Sequence, residues 1–484
     1  MRLGEILVGR GLVSIADIDR ANERQRTSGG RLGENLVEMG LITPAQLDAI
    51  VNETPVCPRN IAETGIPQQN LLQLMLKVML RQKCETSTEI ADIIKLPPSL
   101  IQELIDDCIQ KQFIQAVGSV TVGIVMQIRY TLSERGRVAA LEAFNQNKYT
   151  GPAPIPLSSY QAQVLKQRIT NELLTPQALR KVFEGLVVPE AFLQKAGPAV
   201  NAGKTLLMFG PPGNGKTTLA TRIASIFDQT IYVPYCIEID SQIIKIFDPS
   251  LHKRAVSEEQ ASTLGGRTTL RADAFDERWV ACKRPFALTG GELTLDMLDL
   301  QMSPGAGYYE APLHMKALNG TFLIDDFGRQ QVSPESLLNR WIVPMESRVD
   351  YLKLNTGKSF MIPFDELLIF STNLAPDDLM DPAFLRRIPY KIMLYAPSLQ
   401  EYRDIFEAFT RKEGLQLTDE IFDYTVNTLT KYGYELAYYQ PRFICDQVVA
   451  ACKYESEPWG ITLPRVAQAL SNLYVKIAEH TAGQ

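Results

Sequence analysis

The sequence predicts a multidomain α/β protein: a small helical module, a mixed module of helices and one hairpin, an α/β core, and an all-helical end. Three features point to this. The ten residues from Arg2, RLGEILVGRG, return almost unchanged from Arg31 as RLGENLVEMG. From about residue 160 to 395, helical patterns alternate with short apolar runs, as in a sheet covered by helices. Within that region one apolar run, 205–209, turns through a cluster of glycines into a helix.

Length and composition bound the answer. With 484 residues the chain has room for about three domains, and 45% apolar content can bury several cores. A net charge of −6 supplies no basic field for nucleic acid. The seven cysteines form no C-x-x-C pair and read as buried or incidental thiols in a reducing compartment. Only three histidines occur, at 252, 314 and 480, which speaks against a histidine metal site. No apolar run approaches the roughly 18 residues of a membrane helix. Glu5, Arg10 and Asp17 stand where a signal peptide needs apolar residues. The expectation is a cytoplasmic protein with no membrane insertion.

The modules follow in order. Residues 1–54 hold two units, Arg2–Gln25 and Arg31–Thr54, each with Arg-Leu-Gly, apolar pairs, a second glycine and a helical stretch. A repeat at a fixed period is one structural unit used twice. Residues 55–70 are polar and carry several prolines, which predicts a linker. Over 71–148 the pattern is helix (LLQLMLKVMLRQ), two short helices meeting at Pro97-Pro98, a β-rich hairpin and a closing helix, an order that resembles a winged helix. Its second short helix carries Glu103, Asp106 and Asp107 against Lys111, the wrong sign for a helix beside phosphates. An interaction or spacer module is expected, and nucleic acid is not. Residues 149–180 begin with a second Pro/Gly-marked stretch and are taken as a linker. Residues 181–395 form the core and 396–484 the helical end.

The stretch TLLMFGPPGNGKTTLA is the most specific in the chain. A strand runs into Gly210-Pro211-Pro212-Gly213-Asn214-Gly215-Lys216-Thr217-Thr218 and then a helix, the context a P-loop requires. Its glycines let backbone N–H groups turn toward phosphate oxygens at a helix N-terminus. Lys216 would neutralise the β/γ phosphates and Thr217 would ligate Mg²⁺. In GTFLIDDFGRQ an apolar strand ends in Asp325, a second Mg²⁺ ligand through water, and Asp326, which would polarise the attacking water. ELLIFSTNLAP ends another strand at Asn373, placed to hold that water. Arg386 and Arg387 follow thirteen residues on, and Arg442 opens a helix in the tail.

In this order the motifs resemble an AAA+ ATPase, with Asn373 as sensor 1, Arg386 and Arg387 as arginine fingers, and Arg442 as sensor 2 in a helical lid. The resemblance implies bound ATP and Mg²⁺, nucleotide sandwiched between subunits, and a homo-oligomer that is usually a six-membered ring. About a hundred residues separate the P-loop from Asp325. That excess, with PLHMKALNGTFLIDDFG, is similar to the helix-2-insert branch of the superfamily, whose insert pushes on partners. SPGAGYYEA sets Tyr308 and Tyr309 beside glycines; paired tyrosines of this kind are more often packing residues, and an axial loop gripping a polypeptide is the alternative.

The tandem repeat resembles the MshEN domain of pilus and type II secretion ATPases, which binds the pseudo-two-fold ligand cyclic di-GMP. The resemblance implies contacts from Arg2, Leu3, Gly4, Gly11 and Gln25 in the first unit. In the second unit they come from Arg31, Leu32, Gly33 and Gly40. Leu7 and Leu36 would add apolar surface against the bases. Thr54 stands where the family has Gln, and Asn22 where it has Leu; a helical adaptor without the ligand is the alternative. The assembled expectation is an ATP hydrolase that remodels an unidentified protein partner under cyclic di-GMP control. Two alternatives come from other classes: a nucleotide-gated DNA-binding regulator and a non-hydrolysing scaffold switched by ATP.

Overall fold

In the computed structural model, described over residues 4, 7–8, 11–28, 32–44, 46–47, 54–122, 125–171, 174–227, 229–255 and 275–474, the sequence repeat is also a structural one. The first unit contributes helix α1 (Ile15–Ser28) and the second α2 (Leu32–Glu38). Gly11 and Gly40 both take positive φ, +66° and +69°, at the same turn. Each donates its N–H to the residue three back, Val8 and Val37, both at 2.9 Å. The following helix starts are built alike. Ser14 and Asp17 bond each other's backbone N–H reciprocally, as do Thr43 and Gln46. This is capping-box chemistry written twice. Leu7, Val13 and Ile18 meet Leu36 and Ile42 in one shared core.

The next module runs α3 (Gln68–Gln82), α4 (Ser87–Ile94), α5 (Pro98–Gln110), β1 (Ile114–Val122), β2 (Val125–Leu132) and α6 (Glu134–Gln146). Its order is the one read from the sequence. Thr86 and Glu89 form a capping box at α4, Pro98 opens α5, and Ser133 caps α6. Leu71, Met75 and Val78 bury against Ile90, Ile94, Ile101 and Leu104. Glu103 and Asp106 stay on the exposed side of α5.

The proline-marked stretches on either side of this module are fixed in place. Arg278 is buried and pairs with Asp276 at 2.8 Å. Its guanidinium also donates to the carbonyls of Thr64 (2.9 Å) and Pro154 (3.1 Å), tying both stretches to the core. Ile155–Pro156 forms β3, and α7 (Leu157–Lys166) and α8 (Pro176–Val182) follow, so the stretch 149–180 expected as a linker is largely regular structure.

The core proceeds through α9 (Glu190–Asn201), β4 (Leu206–Phe209), α10 (Lys216–Ala224), β5 (Thr230–Pro234), β6 (Cys236–Ile239) and β7 (Gln242–Lys245). Then come β8 (Trp279–Lys283), β9 (Phe286–Thr289), β10 (Gln301–Met302), β11 (Tyr309–Glu310), α11 (Leu313–Lys316) and β12 (Thr321–Ile324). It closes with α12 (Pro334–Ser347), β13 (Val349–Lys353), β14 (Ser359–Pro363), β15 (Leu367–Thr372), α13 (Pro376–Leu379), α14 (Pro382–Leu385) and β16 (Tyr390–Met393). Five strands form one sheet in the order β16-β4-β15-β12-β9, all parallel. The three central strands, β4, β15 and β12, are buried on both faces, as a sheet covered by helices demands, while the edge strands β16 and β9 keep Lys391 and Leu288 exposed. A second five-stranded sheet, β10-β11-β7-β6-β3, is built from the long insertion and the proline-marked segment.

Behind β12, Asp350 is buried between His314 (2.8 Å) and the bidentate Arg340 (2.7 and 2.8 Å). The contact joins α11, α12 and β13. The insertion decides between packing and gripping for the paired tyrosines. Tyr309 is fully buried, its hydroxyl accepting the Asn355 N–H at 2.8 Å, and Tyr308 packs edge-on against Tyr149. Tyr309 is a packing residue of the second sheet and Tyr308 packs against the core of the preceding module, which favours packing over gripping.

The helical end comprises α15 (Leu399–Lys412), α16 (Asp419–Lys431), α17 (Gln440–Glu455) and α18 (Leu463–Leu473) around Tyr402, Phe406, Phe422, Ile444, Val448 and Leu470. Among the described residues no helix is long and apolar enough to cross a membrane. The cysteines are free, six buried and Cys57 half-buried; burial pushes the Cys108 and Cys236 thiols up to about 12.

Candidate nucleotide-binding site

The parallel strands bring three loops to one edge of the sheet. Register pairs Phe209 with Thr372, and Ile324 with both Phe370 and Thr289, so the four strands end side by side. The order matters: β15 lies between β4 and β12, so the Asn373 loop sits between the P-loop and Asp325–Asp326.

The loop after β4 turns through glycine conformations. Gly210 has φ +140°, and a Cβ there would stand 2.2 Å from the Leu394 carbonyl oxygen, so only glycine fits. Gly213 and Gly215 have φ +80° and +75°. Gly215 caps α10, leaving the N–H groups of Lys216, Thr217 and Thr218 at a helix start. Lys216 is buried, and its ammonium donates to the Gly210 and Pro211 carbonyls, both at 2.9 Å. Burial pulls its pKa down while Asp325 and Asp326 pull it up. Asn214 is buried, with neither its amide oxygen nor its nitrogen partnered by protein. Pro212 and Thr218 are exposed on the loop's outer side.

Across from α10, the Thr217 hydroxyl donates to Asp325 Oδ2 at 2.6 Å. The other Asp325 oxygen accepts the Asp326 N–H at 3.0 Å. Asp326 takes φ +47°, a conformation that non-glycine residues adopt at a cost. Asn373 Nδ2 donates to Asp326 Oδ1 at 3.1 Å. Gln330 stitches the edge together, its amide donating to the carbonyls of Gly290, Asp325 and Asp326. No sequence motif singles out Gln330; only the fold shows it. A hydroxyl and a carboxylate at this distance are the hard oxygen donors that Mg²⁺ takes, alongside phosphate and water. Among the described residues no cluster of three His, Cys, Asp or Glu side chains is arranged to hold a metal by itself.

The arginines stand elsewhere. Arg386 and Arg387 follow α14 and precede Tyr390, which pairs with Leu206 at the start of β4. They therefore lie at the opposite edge of the sheet from Gly210. Arg387 bonds Glu346 at 2.6 Å and the Ala383 carbonyl at 3.1 Å. With Lys204, Arg348 and Tyr390 both arginines line a cavity of about 320 Å³. Arg442 is exposed near the start of α17 with Asp446 at 3.6 Å. The residue laid against the P-loop here is Tyr439, just before α17, which the sequence reading missed.

In the repeat, Arg2, Leu3 and Arg31 lie outside the described residues. Gly4 is buried, and a Cβ on it would stand 3.2 Å from Ile18, so close helix packing accounts for it. Gly33 is buried, Gly11 and Gly40 supply the paired turns, Gln25 is half-buried, and Leu32 packs on the module's core. Leu7 and Leu36 are fully buried in that core, which corrects the expectation that they face a ligand.

Residues 398–472 match a family described as a domain of unknown function, DUF8689; they cover α15 to α18. No curated protein matches the chain. Among solved structures the chain is similar to NtrX from Brucella abortus, at 12% identity and a TM-score of 0.34, over 63% of this chain. That likeness spans 56% of the NtrX chain, little more than half its length. The chain is also similar to the RuvB Holliday junction branch migration motor of Thermotoga maritima, at 15% identity and a TM-score of 0.32. Here 59% of this chain and 70% of that one are covered.

Proposed function

We propose that this chain is an ATP hydrolase of the AAA+ kind that works as a homo-oligomeric ring on a protein partner. The observation that carries the reading is the pairing of Thr217 with Asp325 and of Asn373 with Asp326, beside a glycine-turned loop that ends in a helix start. Three separate strands supply these groups to one edge, which a chance "DD" after a buried strand would not explain.

The roles follow from the chemistry of the groups. Lys216 and the N–H groups from Gly213 to Thr218 face the β and γ phosphates. Thr217 and, through water, Asp325 would hold Mg²⁺, which would supply charge neutralisation there. Asp326 accepts a proton from the attacking water, and Asn373 keeps that carboxylate aimed by holding one of its oxygens. Arg386 and Arg387 face away from this chain's own loop, so they act on the nucleotide of a neighbouring subunit. Arg442 completes the site from the helical side after that side closes. The N-terminal repeat takes cyclic di-GMP as a regulatory ligand, through Arg2 and Arg31. The acidic face of α5, with Glu103 and Asp106 exposed, supports a protein contact over DNA for the middle module.

The deciding experiment is phosphate release by the purified chain with Mg²⁺ and ATP, for wild type and Asp326→Asn. Turnover in the wild type, lost in the variant while ATP binding persists, supports the reading. Turnover that is equal in both moves the base elsewhere; no binding by either removes the nucleotide site.

A further inference from the structure

Tyr439 occupies the position just before α17 and reaches over to the P-loop. A Cβ built on Gly213 would stand 2.3 Å from Tyr439 Cδ1 and 2.6 Å from Cε1, so the ring lies directly on the glycine backbone. The loop is thus braced at two places, by the Leu394 carbonyl against Gly210 and by this ring against Gly213. The ring is not a loose surface tyrosine. Its hydroxyl is 3.0 Å from the Tyr474 hydroxyl, which also accepts the Gln440 amide at 2.8 Å. Gln440 is fully buried and bonds the Glu435 carbonyl and the Ala437 N–H. Tyr474 stacks on Tyr434 with ring centroids 3.7 Å apart. A continuous set of contacts therefore runs from the phosphate loop through Tyr439 into the end of α18.

We infer that Tyr439 is a positioning residue whose ring holds the Gly213 turn in its phosphate-accepting shape and fixes the helical end against it. The inference rests on the nucleotide site proposed above. Gly213 at φ +80° has no side chain to pack, so nothing of its own restrains that turn. A flat aromatic face restrains it without offering a polar group that competes with phosphate. The ring, not the hydroxyl, does this; the hydroxyl only orients the ring.

Calorimetry with Mg·ATP on the full chain tests it, alongside steady-state turnover and melting temperature. Tyr439→Ala is expected to weaken ATP affinity roughly five- to tenfold, the scale of one lost aromatic contact. Turnover at saturating ATP should stay within about twofold of wild type, because Asp326, Asn373 and the arginines are untouched. Tyr439→Phe keeps the ring and should bind like wild type. Tyr439→Leu gives the same sign as Ala in milder form should the Ala variant fail to fold. Wild-type affinity in the Ala and Leu variants overturns the inference, as does a Phe variant as weak as Ala. Lys216→Ala separates the two levels. If wild type and Lys216→Ala both fail to bind ATP, the nucleotide reading falls and takes this inference with it. If only Lys216→Ala fails while the Tyr439 variants bind normally, the inference alone falls.

Discussion

Lys216 and Asp326 sit within one small edge of the sheet yet should fail in different ways. Lys216→Ala removes a buried ammonium from the loop that faces phosphate, and ATP affinity should fall roughly ten- to a hundredfold, the scale of a lost charge-assisted contact. Binding of a fluorescent ATP analogue measures this. Asp326→Asn keeps the shape and the Asn373 contact but cannot take a proton. Turnover should fall by about 10²–10⁴-fold with affinity nearly intact, read by phosphate release against binding. Asn373→Ala removes the donor that holds Asp326 at 3.1 Å. Its signature is lower turnover with unchanged affinity, milder than Asp326→Asn. These residues were legible because each belongs to a local motif: glycines, Lys and Thr in eight positions, or a polar residue directly after an apolar run. Gln330, Tyr439 and Arg278 were not, because their contacts with Gly290, Gly213 and Thr64 join residues far apart in the sequence.

At the scale of elements, one guanidinium secures two segments that read as loose chain. Prolines and polar residues mark where these stretches begin, but they hide the strand and helix that 149–180 goes on to form, and they say nothing about whether a distant arginine caps their carbonyls. Arg278→Ala would leave Asp276 buried without its partner, a loss of about 3–5 kcal/mol for a broken buried pair. The expected outcome is a lower melting temperature and faster proteolysis within 55–70 and 149–156. Asp350 gives a pH signature. Burial pushes its carboxyl up, but hydrogen bonds from His314 and Arg340 outweigh that and hold it at about 2. In the unfolded chain it titrates near 3.9. Its contribution, roughly 2–3 kcal/mol, is therefore full at neutral pH and is lost as pH falls from about 4 toward 2. Acid unfolding of Asp350→Asn should lack that part of the slope. The repeat was legible at this scale too, since a twenty-nine-residue offset returns the same turn and the same helix cap. Which leucines face inward was not, because both copies close on one shared core.

For the whole molecule, the separation of the arginines from their own P-loop is the feature with most reach. Subunits carrying Arg386→Ala and Arg387→Ala, mixed with Lys216→Ala subunits, should recover turnover that neither shows alone. Removing such an arginine typically lowers turnover by about 10³-fold or more, so even a few productive interfaces stand out. Co-assembly without recovery would mean the arginines act within their own chain. The sheet order itself decides this geometry: the turn into β16 places Arg386 and Arg387 where β4 begins, and the phosphate loop leaves where β4 ends. On the proposed function, a lone subunit then holds two half-sites facing away from each other. Its output per molecule should vanish on dilution and climb in proportion to concentration at the dilute limit, before levelling off once most chains have neighbours. A catalyst complete within one chain would give a flat line over the same range.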